Sequence, residues 1–159
     1  MTAKFTVLGN TTLATSSASV TFSSIPSGHK DLVFLFEGST TFNGLGLVKL
    51  VLNSDTADVY KLVGMSGSGT SADSFSGSNN DVVVGRTKNT SKTFSQVDLM
   101  DYSATNKHTS CLIRSNIAEI QTEAKAVRYA SNSAITSIQV ITNATLFTAG
   151  STFRLLGVN

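Results

Sequence analysis

The residues that could do chemistry in this chain are few, and their spacings fail the reactions they suggest. Ser27-Gly28-His29-Lys30 fits the S-x-x-K spacing of acyl-transfer enzymes, and Ser54-Asp55-Thr56 loosely follows a second tripeptide of that chemistry. That mechanism starts a helix at the serine and sets the lysine one turn away. Here Ser27 follows Pro26 in a turn that leads into an extended run, and a chain with 23 Ser meets such a pattern by chance. Gly64 to Gly69 is glycine-rich but has no Lys, so it is not a phosphate loop. Asn53, Asp55 and Asp58 could offer oxygens to calcium, yet neither the turn glycine nor the closing glutamate is present, and an Asx turn is the better reading. The three glutamates, Glu37, Glu119 and Glu123, show no acid/base pairing. One cysteine, Cys111, and two histidines, His29 and His108, cannot build a metal framework, and both histidines sit in polar, turn-like contexts. No catalytic residue, metal site or cofactor is expected, and the chain reads as a non-enzyme.

Binding residues are almost as scarce. There is no Trp, and most of the nine Phe fall at strand positions that bury them. Phe42 and Phe75 stand apart in Gly/Ser/Thr-rich surroundings; they are the interface candidates, with local loop packing as the alternative. The net charge is +2, and the densest basic stretch holds only Arg86, Lys88 and Lys92. Nucleic acid is not an expected partner, because nothing clusters the charge. The sequons at Asn10, Asn89 and Asn143 carry weight only in a secreted chain.

The elements that must hold these residues are strands. Charged residues make up 14%, and hydroxyls fill the gap, with 23 Ser and 21 Thr. Small polar and β-branched residues suit strands and turns and serve helix interiors poorly. Val20, Phe22 and Ile25 face a core if 19–22 is a strand, and Lys30 to Gly38, with the apolar run Leu32 to Phe36, reads as a central strand. Leu45 to Asn53 follows, with Lys49 exposed or at an edge, then Val59 to Met65. Residues 64–80 read as one long loop. Strands are expected again over Asp81 to Arg86, Thr93 to Tyr102, Lys107 to Ser115, Ile135 to Thr142 and Thr152 to Val158. Ala118 to Tyr129 has helix-forming residues, but its neighbours favour an extended strand. Cys111 is expected to point inward as a small, unreactive apolar group. The whole gives nine or ten strands in one antiparallel β-sandwich of jelly-roll type, a single domain over 1–159.

Met1-Thr2-Ala3-Lys4 leads straight into Phe5-Thr6-Val7 with no apolar signal core, so synthesis in a cytoplasm is expected, and any role outside a cell must follow lysis or specialised secretion. The run Leu32 to Phe36 is too short to span a membrane, and no membrane partner is expected. The stretches Thr12-Leu13-Ala14-Thr15, Ser19 to Pro26 and Lys30-Asp31-Leu32-Val33 occur in order with Leu52 to Asp55, Met100-Asp101-Tyr102-Ser103 and Ala149 to Val158. This order resembles small virion structural proteins of tailed bacteriophages over nearly the whole chain. The resemblance implies a head decoration, fibre or tail-associated module, made in the host bacterial cytoplasm and located in the virion. Without a heptad stem or collagen-like shaft, a capsid decoration or cement protein is the leading expectation. Its partners would be the major capsid protein or tail and neck components, and it would be a homo-oligomer or multimeric on its scaffold. The alternative is a tail- or fibre-associated module that binds host glycans.

Overall fold

Short alternating segments separated by Ser, Gly and Asn turns produce twelve strands and no helix in the computed structural model, which describes residues 4–159. Met1-Thr2-Ala3, the start of the stretch read as having no signal core, lies outside the described residues. In chain order the strands are β1 (Phe5–Thr12), β2 (Ser19–Phe22), β3 (Asp31–Gly38), β4 (Gly46–Leu52), β5 (Tyr60–Gly67) and β6 (Ala72–Asn79). They continue as β7 (Val82–Thr87), β8 (Thr93–Met100), β9 (Thr109–Ile117), β10 (Gln121–Tyr129), β11 (Ile138–Thr142) and β12 (Thr152–Val158). An eight-stranded sheet has the order β1-β12-β3-β8-β9-β10-β5-β6, and a four-stranded sheet the order β2-β11-β4-β7. Every pairing is antiparallel. The protein is therefore an all-β sandwich of the jelly-roll kind, as the composition implies.

The core lies between the sheets. Leu32, Phe34 and Phe36 of β3 and Phe153 and Leu155 of β12 face Phe22, Val48, Leu50, Leu52, Val82, Ile138 and Val140 of the smaller sheet in one buried cluster. The ring of Phe36 lies 5.6 Å from Phe147 and 5.1 Å from Phe153, an aromatic knot that closes one end. At the other end Tyr60 and Tyr129 stack at 5.1 Å, and the Tyr60 hydroxyl accepts from Leu52 N and donates to Asp55 O, tying β5 to the end of β4. Desolvation raises the pKa of Tyr60 above the usual tyrosine value. Val20, Phe22, Ile25 and Cys111 are buried as their alternation predicts.

Three expectations need correction. Residues 64–80 are not a loop: β5 and β6 form a hairpin that pairs from Tyr60↔Asn79 to Gly67↔Ala72, with only 68–71 as its turn and Gly69 at φ +84°. A ladder is held by backbone hydrogen bonds, so an edge strand can form from Ser and Gly with almost no apolar signal. Gly64 is needed there for a close approach: a Cβ at that position would stand 2.8 Å from the Phe75 ring. Nine or ten strands are too few, because β1 as well as this strand goes uncounted. Lys49 is neither exposed nor at an edge; β4 lies inside its sheet, and the Lys49 ammonium reaches Asp81 Oδ2 at 2.7 Å. The ambiguous stretch 118–129 is strand β10, as its neighbours suggested. Its helix-like pattern is broken by Glu119, which takes φ 61° in the β9–β10 turn.

Candidate functional site

The outer face of the eight-stranded sheet, the one turned away from the core, gathers exposed apolar side chains from several strands. Alternation along β8 buries Val97 and Leu99 and turns Phe94, Gln96, Asp98 and Met100 outward. Register then sets Leu112 opposite Asp98, Ala126 opposite Leu112, and Val63 opposite Ala126 across four neighbouring strands. Among the described residues nine large hydrophobics are exposed, and six of them, Phe5, Val7, Val63, Met65, Phe94 and Leu112, are on this face. An exposed patch on this scale marks a contact surface more often than scattered exposed residues do.

The face is grooved because its strands carry side chains of unequal height. β10 presents Thr122, Ala124 and Ala126 between the taller Leu112 and Arg114 of β9 and Val63 and Met65 of β5. The deepest stretch, about 700 Å³, lies between Phe94 and Met65, with Gln96, Arg114, Asn116 and Asp73 around it. It continues past Leu112 and Ala124 in a stretch of about 550 Å³, then past Met100 and Arg128 in one of about 460 Å³. Asp98 organises the polar side, accepting from Gln96 Nε2 at 3.0 Å and lying 3.8 Å from Arg114 Nη2. The Arg114 guanidinium stays largely in solvent, free to meet a partner.

A second polar cluster sits on the opposite face of the same strands. Glu123 and Lys125 of β10 point inward and are buried, with Lys125 Nζ 2.8 Å from Glu123 Oε2. Arg86 Nε lies 3.3 Å from Glu123 Oε1, and Lys125 also donates to Val83 O at 3.1 Å. Burial depresses the Lys125 pKa, against the upward pull of Glu123. Phe75 covers this cluster from β6, its ring centre 6.0 Å from Lys125 Nζ, beside a pocket of about 270 Å³. The cluster joins β7 to β10 and β6, and every charge in it has a partner, which marks it as a structural tie.

The structure places the two interface candidates apart. Phe42 is exposed in the β3–β4 loop, where its carbonyl accepts from Asn89 N. Phe75 is half-buried in a strand and not in a loop. The calcium-like oxygens are taken up by their own chain: Asp55 Oδ1 accepts from Ala57 N as an Asx turn, while Asn53 Oδ1 accepts from Thr136 N and Ser137 N. Asp58 Oδ2 meets Lys61 at 3.3 Å. Among the described residues no group of three or more His, Cys, Asp or Glu could hold a metal, and no helix is long and apolar enough to cross a membrane. His108 is exposed, whereas His29 packs on Gly157 and bonds Asn159 Oδ1. The outer-face residues Phe94, Met65 and Leu112 escaped the sequence reading. Parity held the signal: Phe94 is odd-spaced from Val97 and Leu99, so a strand that buries those two must expose it.

No protein-family model matches the chain, and no curated protein sequence does. Among solved structures it is similar to galectin LEC-6 of Caenorhabditis elegans, at 10% identity and TM-score 0.37 over 94% of this chain and 95% of that one. It is also similar to the CBM40 of the Ruminococcus gnavus IT-sialidase, at 11% identity and TM-score 0.39 over 94% and 91%. A third is the PL-14 alginate lyase of Aplysia kurodai, at 11% identity and TM-score 0.40 over 85% and 71%.

Proposed function

We propose that the protein is a non-catalytic structural module of a tailed-phage particle that docks through the outer face of its eight-stranded sheet. The observation that carries the docking part is the gathering of six exposed large hydrophobics on that one face, beside a groove that runs across four strands. The resemblance of the sequence supports the virion part. A neighbouring shell protein is the occupant this reading names, and decoration of the capsid is its first form. A symmetric shell repeats such a contact many times, and each standard-sized interface buries ~1,200–2,000 Å². The hydroxyl-rich surface around the patch suits a wet, hydrogen-bonded rim. The test is a quantified gel of purified particles together with incorporation of Met65→Ser and Leu112→Ser. Hundreds of copies per particle and loss of incorporation by both variants are expected. Normal incorporation of both would remove the face from the reading, and absence of the protein from particles would end it.

A second reading is favoured by one feature, the polar lining beside Phe94. An aromatic ring flanked by Gln96, Arg114 and Asn116 in a groove of about 700 Å³ has the parts of a sugar subsite, a stacking plane with planar hydrogen-bonding groups around it. In that reading the module belongs to the tail or a fibre and grips host glycans weakly, with many copies supplying avidity. A copy number in the low tens or below, with glycan-array binding lost in Phe94→Ala, would favour it.

A further inference from the structure

The two sheets leave four edges, and three of them are blunted. β2 offers only four residues. β1 is broken by a register shift between Val7 and Gly9. β7 runs beside a shift between Val48 and Lys49 and carries Arg86, held to Glu123. Short strands, bulges and charged side chains are the usual means of keeping an edge from pairing with another chain. β6 is neither short nor bulged, and Asp73 is its one charged residue. It pairs with β5 residue by residue from Ala72 to Asn79 without a shift, and its sequence, ADSFSGSN, has no Lys, Arg or Pro. All its residues except Phe75 and Asn79 are exposed, so no side chain covers the free row of N–H and C=O groups.

We propose that β6 is a self-association edge: β6 of a second copy pairs antiparallel with it about a twofold axis and fuses the two eight-stranded sheets. The strand's own sequence favours a second copy over an unrelated strand. With Ser76 on the axis, Ser74 faces Ser78, Phe75 faces Gly77, and Asp73 faces Asn79 of the second copy. Each pair is complementary under the same operation, as a closed twofold contact requires. Gly77 has open space where a Cβ would stand, so a residue as large as Phe75 opposes it without a clash. The Asp73 carboxylate accepts from the Asn79 amide, and no like charges meet. Directly opposed residues share a face, so the outer faces of both copies end on one side of the joined sheet. The groove lined by Met65, Ala72 and Asp73 then lies beside its symmetry mate, and the docking surface doubles.

The full chain, followed by sedimentation equilibrium up to about 100 μM, is expected to form dimers. Ser76→Lys sets two ammonium groups against each other on the axis; it is expected to give a monomer with an unchanged unfolding midpoint. Under mild oxidation Ser76→Cys is expected to form a disulfide-linked dimer and Ser74→Cys to remain uncrosslinked, since Cys111 is buried and Ser74 faces Ser78. A wild-type monomer over the whole range, a dimer that survives Ser76→Lys, or crosslinking of Ser74→Cys in preference to Ser76→Cys would each overturn the pairing. None of these results depends on particle incorporation, so this inference and the docking reading can fail separately.

Discussion

The two faces of the eight-stranded sheet come from the same strands and have opposite tasks. The inner face of β3, β12 and β8 buries Phe34, Phe36, Phe153, Val97 and Leu99 to within 1% exposure against the smaller sheet. The outer face leaves Phe94 46% and Met65 64% exposed above a floor of Ala124 and Ala126. Apolar area removed from water stabilises the fold, and apolar area left in water is available to a partner. Alternation with period two lets one strand do both, since neighbours in sequence face opposite ways. β10 shows the division most sharply: Glu123 and Lys125 tie it to β7 and β6, while Ala124 and Ala126 keep the outer groove open.

The comparison breaks first at the aromatic knot. Phe36→Ala removes a ring packed against both Phe147 and Phe153, and is expected to cost about 3–5 kcal/mol of unfolding free energy in urea. A loss near 1 kcal/mol would mean that the inner face is not where stability resides. Lys125→Met belongs to the same face but acts by a different mechanism. It leaves the buried Glu123 carboxylate with only the longer contacts to Arg86, Ser115 and Gln121, and a broken buried pair costs about 3–5 kcal/mol. Adding Glu123→Leu to Lys125→Met should recover most of that loss, because no buried charge then remains and the Arg86 guanidinium it frees is 39% exposed to water. If the double variant is as unstable as the single one, packing and not charge accounts for the effect.

The fold was legible wherever a strand had a buried face, and illegible where it had none. Leu32 to Phe36 announces a central strand because three alternate side chains fill the core. Cys111 was placed inward for the same reason. The hairpin over 64–80 stayed hidden because its outer strand is held by backbone bonds, and Phe75 is the one large side chain of β6. The contact face was hidden for another reason. Its residues come from four strands that only tertiary register brings together: Phe94, Leu112, Ala126 and Val63 have no common spacing along the chain. Phe94 alone could be read outward from its own strand. Phe42 and Phe75, chosen for their polar surroundings, turned out to lie on different elements.

Alkaline pH tests the inner face without mutation. Burial pushes the Cys111 thiol up to about 12, so the folded protein keeps a proton that the unfolded chain releases above about 9. The unfolded state binds fewer protons in that window, and stability therefore falls as pH rises. The expected slope is about 1.4 kcal/mol per unit between roughly pH 9 and 12. Tyr60, Tyr102 and Tyr129 are raised by burial as well and add to the same trend at the upper end. Denaturant unfolding at pH 8 and 10 measures the loss. A thiol reagent should label Cys111 only on unfolding, and rapid native labelling would reverse the register of β9.

Phe75 lies between the two regimes, half-buried at the edge of the inner face. Its ring covers Gly64 and lies over the Lys125 ammonium, so Phe75→Ala removes partial burial without opening the main core. The expected cost is about 1 kcal/mol, roughly half of what full burial of a large apolar side chain contributes. A loss of several kcal/mol would make the hairpin part of the core and shift the boundary between the two regimes outward.

The smallest effect on stability is expected where the effect on contact is largest. Phe94, Met65 and Leu112 are all near or above half exposed, so changing each to Ser removes area that folding had not buried. Surface substitutions of this kind fall within about 0.5 kcal/mol of the parent. Their neighbours on the face are Ala124, Ala126, Gln96 and Asp98, small or polar groups that lose little packing. The triple variant should therefore unfold at the parental urea midpoint with an unchanged slope, while its assembly with particle proteins is abolished. The parental slope matters, because a change in it would show that the variant altered the area exposed on unfolding. If the triple variant loses several kcal/mol, the outer face stabilises the monomer, and the division of labour between the faces fails.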